Sequence, residues 1–148
     1  MDLQDRLRQA GLRVTSPRLA VLTALTALPH QNVDAIAAAA RARFGSLSTQ
    51  AVYDNLHVLV EAGIVRRIEP AGSAALYELQ TGNNHHHLVC RCCGSTHDVD
   101  CAVGKAPCLA PSADHGFVID EAEVVFWGLC PRFQENSVPS NLHRKEKQ

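Results

Sequence analysis

The first half of this 148-residue chain is divided into four short apolar segments by residues that begin and end helices, and two β-prone runs follow. Residues that stop helices follow the segments, namely Gly11, Pro29, Gly45 and Gly63. Residues that favour N-caps precede the last three segments, namely Ser16, Asn32 and Ser48. This pattern predicts a helix over residues 2–10 and three further helices, the last beginning at Ser48.

Two β-like runs, residues 64–68 and 75–79, are separated by the turn-forming residues 70–73. Short helices followed by a two-stranded hairpin are typical of a winged helix-turn-helix, in which the fourth helix would enter the major groove. A generic helical bundle with a hairpin fits the same periodicity and stays open at this point.

The second half predicts a small α+β unit, with strands over residues 87–89 and 118–129 and with Pro107 and Pro111 breaking any helix between them. A unit of this size buries little core alone, which favours a homodimer or a metal ion as reinforcement. The predicted organisation is a DNA-binding domain over residues 1–80, a linker over 81–84, a dimerisation and metal-binding domain over 85–131 and a disordered polar tail over 132–148. The fold class is α+β.

The composition of the chain bears on its location in the cell and on its partners. No segment approaches the roughly 20 apolar residues that span a bilayer, and the first residues lack a secretory pattern. We therefore expect a cytoplasmic protein without a membrane partner. The formal net charge is only −1, but the cations of residues 1–79 are all arginines, whose guanidinium groups suit phosphate.

The densest chemical pattern lies over residues 85–94, HHHLVCRCCG. In a strand, alternate side chains share a face, so His85 and His87 can reach one ion while His86 points away. Cys90 and Cys93 form a C-x-x-C pair, whose spacing lets two thiolates bind one Zn²⁺. Clustered Cys and His in a cytoplasmic chain indicate metal binding or redox chemistry.

Together with the winged-helix pattern, this segment resembles the ferric uptake regulator family from about residue 5 to residue 131. The segments that carry the resemblance are LRVTSPR at 12–18, STQAVYDNL at 48–56, the His triplet with its C-x-x-C, and WGLC at 127–130. The segments at 100–104, 106–109 and 120–123 look like the actinobacterial FurA/CatR branch. That resemblance implies a repressor of catalase-type genes that responds to peroxide.

The resemblance implies a regulatory metal site that joins a histidine of the first half to ligands around the linker and the next strand. The matching residues are His30, Glu78, His85, His87 and Asp98. Three imidazoles and two carboxylates suit Fe²⁺ or Mn²⁺ better than a metal that prefers thiolates.

The resemblance also implies a structural Zn²⁺ held by Cys90, Cys93 and Cys130. The family's second C-x-x-C pair is incomplete because position 133 is Phe133. Cys101, Cys108, His143, water or no ligand remain open as the fourth. An accessory metal site of the family has Asn84, His86, Lys105 and Ala122 at its positions, and we predict no metal there because a lysine repels a cation.

For DNA, the resemblance places the residues that face base edges near the start of the fourth helix. They are Ser48, Thr49, Gln50 and Tyr53, and the phosphate contacts are Arg13 and Arg18. Many relatives have an arginine after the tyrosine, whereas this chain has Asp54.

The predicted function is a metal-dependent repressor that binds a double-stranded DNA operator, is peroxide-responsive and controls oxidative-stress genes including its own. Peroxide would oxidise His30 or His85, or would join Cys101 to Cys108. Glu78 weighs against histidine oxidation because the branch known for it has Asp at this position. The alternative is regulation of iron or other divalent-metal uptake without peroxide sensing. A zinc-dependent enzyme is a third interpretation, but His-Glu-x-x-His, G-x-S-x-G, a P-loop and a dinucleotide fingerprint do not occur, so we predict no enzyme.

Overall fold

The structure is a computed structural model, and it describes residues 1–70, 72–82, 85–101 and 107–134. The chain divides into two compact units, Met1–Gly82 and Asn83–Gln148. Four α-helices and a two-stranded sheet form the first unit, and a three-stranded sheet lies in the second. The predicted α+β class is confirmed. Among the described residues, no helix has the length and apolar character that a bilayer crossing requires.

The helices of the first unit begin and end close to the predicted residues. They are α1 (Leu3–Gln9), α2 (Ser16–Ala27), α3 (Val33–Phe44) and α4 (Thr49–Glu61). Asn32 and Ser48 cap α3 and α4 as predicted, because their side chains accept the backbone N–H of Ala35 and Ala51. The prediction of Ser16 as the cap of α2 is wrong. Thr15 accepts the N–H of Arg18 and Ser16 is the first helical residue, since the cap must lie one residue before the helix.

The core of the first unit forms where α2, α3 and α4 pack against one another. Its fully buried side chains include Leu22 and Leu25 of α2, Ile36 of α3, and Leu56 of α4. Burying each such side chain contributes roughly 1.5–3 kcal/mol. This packing fixes α4 with Tyr53 on its exposed side.

The hairpin after α4 consists of β1 (Val65–Ile68) and β2 (Leu76–Leu79), paired antiparallel. On the other edge of β2, an isolated antiparallel bridge pairs Tyr77 with Gln31. The N–H of Tyr77 donates to the carbonyl of Gln31 at 2.9 Å. This bridge holds the α2–α3 connection beside β2.

The sheet of the second unit has the strand order β4-β3-β5. Its strands are β3 (His85–Cys90), β4 (Thr96–Asp100) and β5 (Val125–Gly128), and a 3-10 helix, Pro131–Phe133, follows. β3 pairs antiparallel with β4 and parallel with β5. The sequence did not predict β4. The strand predicted over residues 118–129 is wrong in extent, because only Val125–Gly128 pair with β3 and Val118 is 98% exposed.

Parts of the predicted linker and tail lie outside the described residues, namely 83–84 and 135–148. The 3-10 helix continues to Phe133, past the predicted start of the tail.

Candidate functional site

The first unit contains a histidine–carboxylate pair whose side chains are mostly shielded from solvent. Nε2 of His30 lies 2.7 Å from Oε2 of Glu78, with the two side chains 9% and 4% exposed. The Gln31–Tyr77 bridge explains their meeting, because it sets the residue before Gln31 beside the residue after Tyr77. His30 has a left-handed backbone with φ of 58°, a conformation that few residues other than glycine adopt. Two predicted ligands are thus fixed together within this unit.

The second unit brings three more predicted ligands together on one face of its sheet. Nε2 of His85 and Nε2 of His87 lie 3.7 Å and 3.5 Å from Oδ1 of Asp98. Alternation along β3 puts both imidazoles on one side, and the pairing of His87 with Asp98 adds the carboxylate. These separations exceed a hydrogen bond but approach the roughly 3.0–3.5 Å between two atoms that bind one ion at about 2.1 Å.

A further carboxylate near this face was missed by the sequence. Oε1 of Glu123 lies 3.8 Å from Nδ1 of His87. Glu123 precedes β5, and the parallel pairing of β5 with β3 carries it to His87. The prediction that residues 118–129 form one strand concealed it, since no local pattern shows where a strand meets a distant partner.

The three predicted zinc ligands converge at the end of the same sheet. Sγ of Cys93 lies 3.7 Å from Sγ of Cys130, and the sulfurs of Cys90, Cys93 and Cys130 all lie within 4.8 Å of one another. Two thiolates on a tetrahedral zinc, each about 2.3 Å from the ion, are about 3.8 Å apart. The separation of Cys93 and Cys130 therefore fits two corners of a zinc tetrahedron, and Cys90 lies close enough to offer a third ligand.

Backbone amides prepare one of these sulfurs for metal. The N–H of Cys130 donates to Sγ of Cys90 at 3.4 Å. That bond, followed by bonds from the amides of Cys93 and Cys92, lowers the pKa of Cys90 to about 6. Burial raises the pKa of Cys130, and its hydrogen bonds with Cys90 and Cys93 act in the same direction. Cys90 is thus the thiolate that is ready at neutral pH.

Cys101 and Cys108 do not group with the sulfurs of Cys90, Cys93 and Cys130. Both thiols group with His86, and Sγ of Cys108 lies 3.1 Å from Nε2 of His86. The sequence left them open as zinc ligands because separation along the chain does not reveal position. His143, another open alternative, lies outside the described residues, as do Asn84 and Lys105 of the accessory positions.

The start of α4 carries the predicted base-reading residues. Tyr53 is 51% exposed, and Ser48 and Gln50 are exposed. Gln50 donates to Oδ1 of Asp54 at 2.9 Å, so Asp54 holds this amide in place. Thr49, which is half-buried, accepts a hydrogen bond from Arg41 at 2.8 Å. The sequence missed Arg41, which also donates to the carbonyl of Leu47 and so adds positive charge at the start of α4.

The two predicted phosphate-contacting arginines lie beside each other. A guanidinium N–H of Arg18 donates to the carbonyl of Arg13 at 2.7 Å. This leaves Arg13 exposed and Arg18 half-buried. Arg13 has the freer side chain for a backbone phosphate.

Comparison with known proteins decides the family. Residues 9–126 match the sequence profile of the ferric uptake regulator family. The chain belongs to this family. It is therefore a transcriptional regulator and not an enzyme.

Individual members of the ferric uptake regulator family agree with this assignment. The chain is 57% identical to the transcriptional regulator FurA of Mycobacterium tuberculosis over 130 residues, 88% of each chain. It is 30% identical to the peroxide-responsive repressor PerR of Staphylococcus aureus over 132 residues, 87% of each chain. It covers 99% of the ferric uptake regulator from Pseudomonas aeruginosa solved with manganese, and 88% of this chain is covered, at 25% identity and a TM-score of 0.69.

Proposed function

We propose that this protein is a metal-dependent repressor that binds a double-stranded DNA operator as a homodimer. The observation that carries the proposal is the placement of the predicted ligands. His30 and Glu78 form a close pair in one unit, and His85, His87 and Asp98 share one face in the other. Five imidazole and carboxylate ligands match the needs of Fe²⁺ or Mn²⁺.

The number of donors supports the five-ligand site that the family resemblance implies. Of the predicted ligands, the first group offers one imidazole and one carboxylate, and the second offers two imidazoles and one carboxylate, beside which Glu123 lies. Neither set alone fills the coordination of Fe²⁺ or Mn²⁺. An ion that binds all five ligands stabilises the conformation in which they come together. If that conformation also binds DNA, the ion raises operator affinity, and the size of the increase is set by how much more tightly this conformation binds the ion than the others do.

The sheet of the second unit supports the homodimer. Leu88 and Phe126 are partners in the β3–β5 register, and they are 45% and 48% exposed. Two large apolar side chains side by side on a sheet face are typical of an interface. A Zn²⁺ at Cys90, Cys93 and Cys130 would hold the ends of β3 and β5 together beside them.

The experiment measures binding to DNA from upstream of the protein's own gene by fluorescence anisotropy, with Mn²⁺ and with a chelator. We expect the chelator to weaken binding of the native protein by about 5- to 150-fold. The double variant His85→Ala/His87→Ala should bind weakly in both conditions. The matched control is His97→Ala/His115→Ala, two exposed histidines, which should keep the metal response. Equal binding by native protein and the first variant, with or without chelator, rejects the proposal.

We further propose that the repressed genes are of the catalase or oxidative-stress type, the regulator's own gene included, and that peroxide relieves repression. The likeness to PerR supports this reading. Glu78 favours a second candidate, regulation by iron or another divalent metal without peroxide sensing, because the branch known for histidine oxidation has Asp there. The same binding assay with added hydrogen peroxide separates the two.

A further inference from the structure

The exposed face of α4 begins with four side chains at the i, i+3, i+4 and i+7 spacing that places residues on one side of a helix. These exposed residues are Gln50, Tyr53, Asp54 and His57. The opposite side of the helix is buried in the core of the first unit. Under the proposed function, these four residues are therefore the part of α4 that a DNA groove receives.

The charge of this face is unusual for a surface that meets DNA. Helix α4 contains no lysine or arginine, and two of its exposed residues, Asp54 and Glu61, are acidic. A carboxylate near a duplex repels the phosphates whatever the base sequence is. Asp54 therefore does not attract the DNA backbone, and a role for it in recognition has to act through a neighbouring side chain or a base.

The neighbouring side chain that Asp54 contacts is Gln50, one helical turn earlier. Nε2 of Gln50 donates to Oδ1 of Asp54 at 2.9 Å. Because a carboxylate only accepts hydrogen bonds, it selects the orientation in which the nitrogen of the amide, and not the oxygen, faces it. The amide nitrogen has two hydrogens, so one bonds Asp54 while the other remains, together with Oε1, for another partner.

An amide held in this orientation matches one base edge in the major groove. Adenine presents an acceptor at N7 beside a donor at N6, and these pair with the N–H and the oxygen of a glutamine. Guanine presents two acceptors, N7 and O6, so the fixed oxygen of Gln50 would face another acceptor. A glutamine that rotates freely escapes this repulsion by turning its nitrogen towards the guanine.

We propose that Asp54 is the positioning residue that fixes the amide of Gln50 for reading an adenine in the operator, and this inference rests on the proposed function. The carboxylate orders a flexible side chain in advance, so less conformational entropy is lost when the amide meets the base. The same contact disfavours the amide orientation that suits guanine. The charge of Asp54 thus lowers affinity for all DNA, while its hydrogen bond raises the preference for one base pair.

The test measures binding of the full-length protein with Mn²⁺ to duplexes from upstream of its own gene by fluorescence anisotropy. Each base pair of the bound segment is changed in turn, and Gln50→Ala locates the pair that Gln50 reads. At that pair the native protein should favour adenine over guanine by about 5- to 150-fold. Replacing the adenine by 7-deazaadenine, which lacks the N7 acceptor, should weaken binding of the native protein.

Variants of Asp54 separate positioning from charge. Asp54→Ala should reduce the adenine preference by about fivefold or more and should no longer respond to 7-deazaadenine, although it binds DNA of every sequence more tightly. Asp54→Asn, which keeps an oxygen acceptor without the charge, should retain more of the preference. The matched control is Glu61→Ala, which removes an equal charge from the same helix and should keep the native preference. Circular dichroism checks that each variant folds.

The proposal is overturned if Asp54→Ala keeps the native preference, or if Gln50→Ala abolishes no preference for adenine. It is also overturned if Asp54→Ala changes the preference at a different base pair from Gln50→Ala, because Asp54 would then read a base itself. Failure of the proposed function has a separate readout, which is operator binding by the native protein that ignores the chelator.

Discussion

Sγ of Cys93 lies 3.7 Å from Sγ of Cys130, although 37 residues separate them along the chain. With Cys90 they form a group of three sulfurs that could hold a metal ion, and position 133, which would complete a second C-x-x-C pair, holds Phe133.

Phe133→Cys should complete the zinc site. A fourth thiolate at the C-x-x-C spacing adds one bond to the ion, so we expect zinc to dissociate at least tenfold more slowly. Transfer of zinc to a chromogenic chelator measures the rate. Gln134→Cys is the matched control, because it adds a thiol at the wrong spacing. If both variants release zinc at the native rate, position 133 does not face the ion.

The metal-free protein should titrate one thiol near pH 6. The pKa of Cys90 is about 6 in the fold against an ordinary 9.0, because backbone amides stabilise its thiolate. The resulting stabilisation is present in full above pH 9 and is lost as pH falls through about 6. Calorimetry in buffers of different ionisation enthalpy should show about one more proton released on zinc binding at pH 5 than at pH 7. Cys90→Ser should abolish this difference, and a pH-independent count would contradict the assignment.

Glu78→Gln should lower the affinity of the protein for the regulatory ion. The substitution keeps the size of the side chain and its contact with His30 but removes the charge that a divalent cation needs. We expect Mn²⁺ affinity to fall on the order of tenfold or more, measured by titration calorimetry. Glu61→Gln is the control, since Glu61 pairs with His57 at an exposed position. Equal losses in the two variants would indicate a general effect of charge.

Arg13→Ala should reduce the salt dependence of operator binding. Each arginine that neutralises a phosphate contributes close to one unit to the slope of log affinity against log salt. We expect the slope to fall by about one, with sequence preference unchanged. Arg8→Ala, an exposed arginine already paired with Asp5, serves as the comparison. If the Arg13 variant kept the slope of the native protein, Arg13 would not contact a DNA phosphate.

The first unit was largely predictable because its start and stop residues act locally. Asn32 and Ser48 cap helices by bonding to amides three residues away, and Gly63 adopts the left-handed φ of 71° that ends α4. The strand β4 was not predictable, since Thr96–Asp100 is mostly exposed and becomes a strand only by pairing with β3.

The candidate sites followed the same division. The shared face of His85 and His87 follows from strand periodicity, and Asp98 follows from the family resemblance. Glu123 and the pairing of His86 with Cys108 depend on strand register and on a turn in the chain, which no short pattern encodes. Contacts between residues that lie far apart in the sequence can be identified only from the structure.

The alternation of β3 has an evolutionary consequence. Neighbouring side chains of β3 occupy opposite surfaces of the sheet. Deleting a single residue from this strand would therefore move the histidines on one side of the deletion to the other surface, and Asp98 would face a different imidazole. Loss of two residues would preserve the facing of the rest. Length changes in this stretch of the gene should therefore be tolerated in even steps before odd ones.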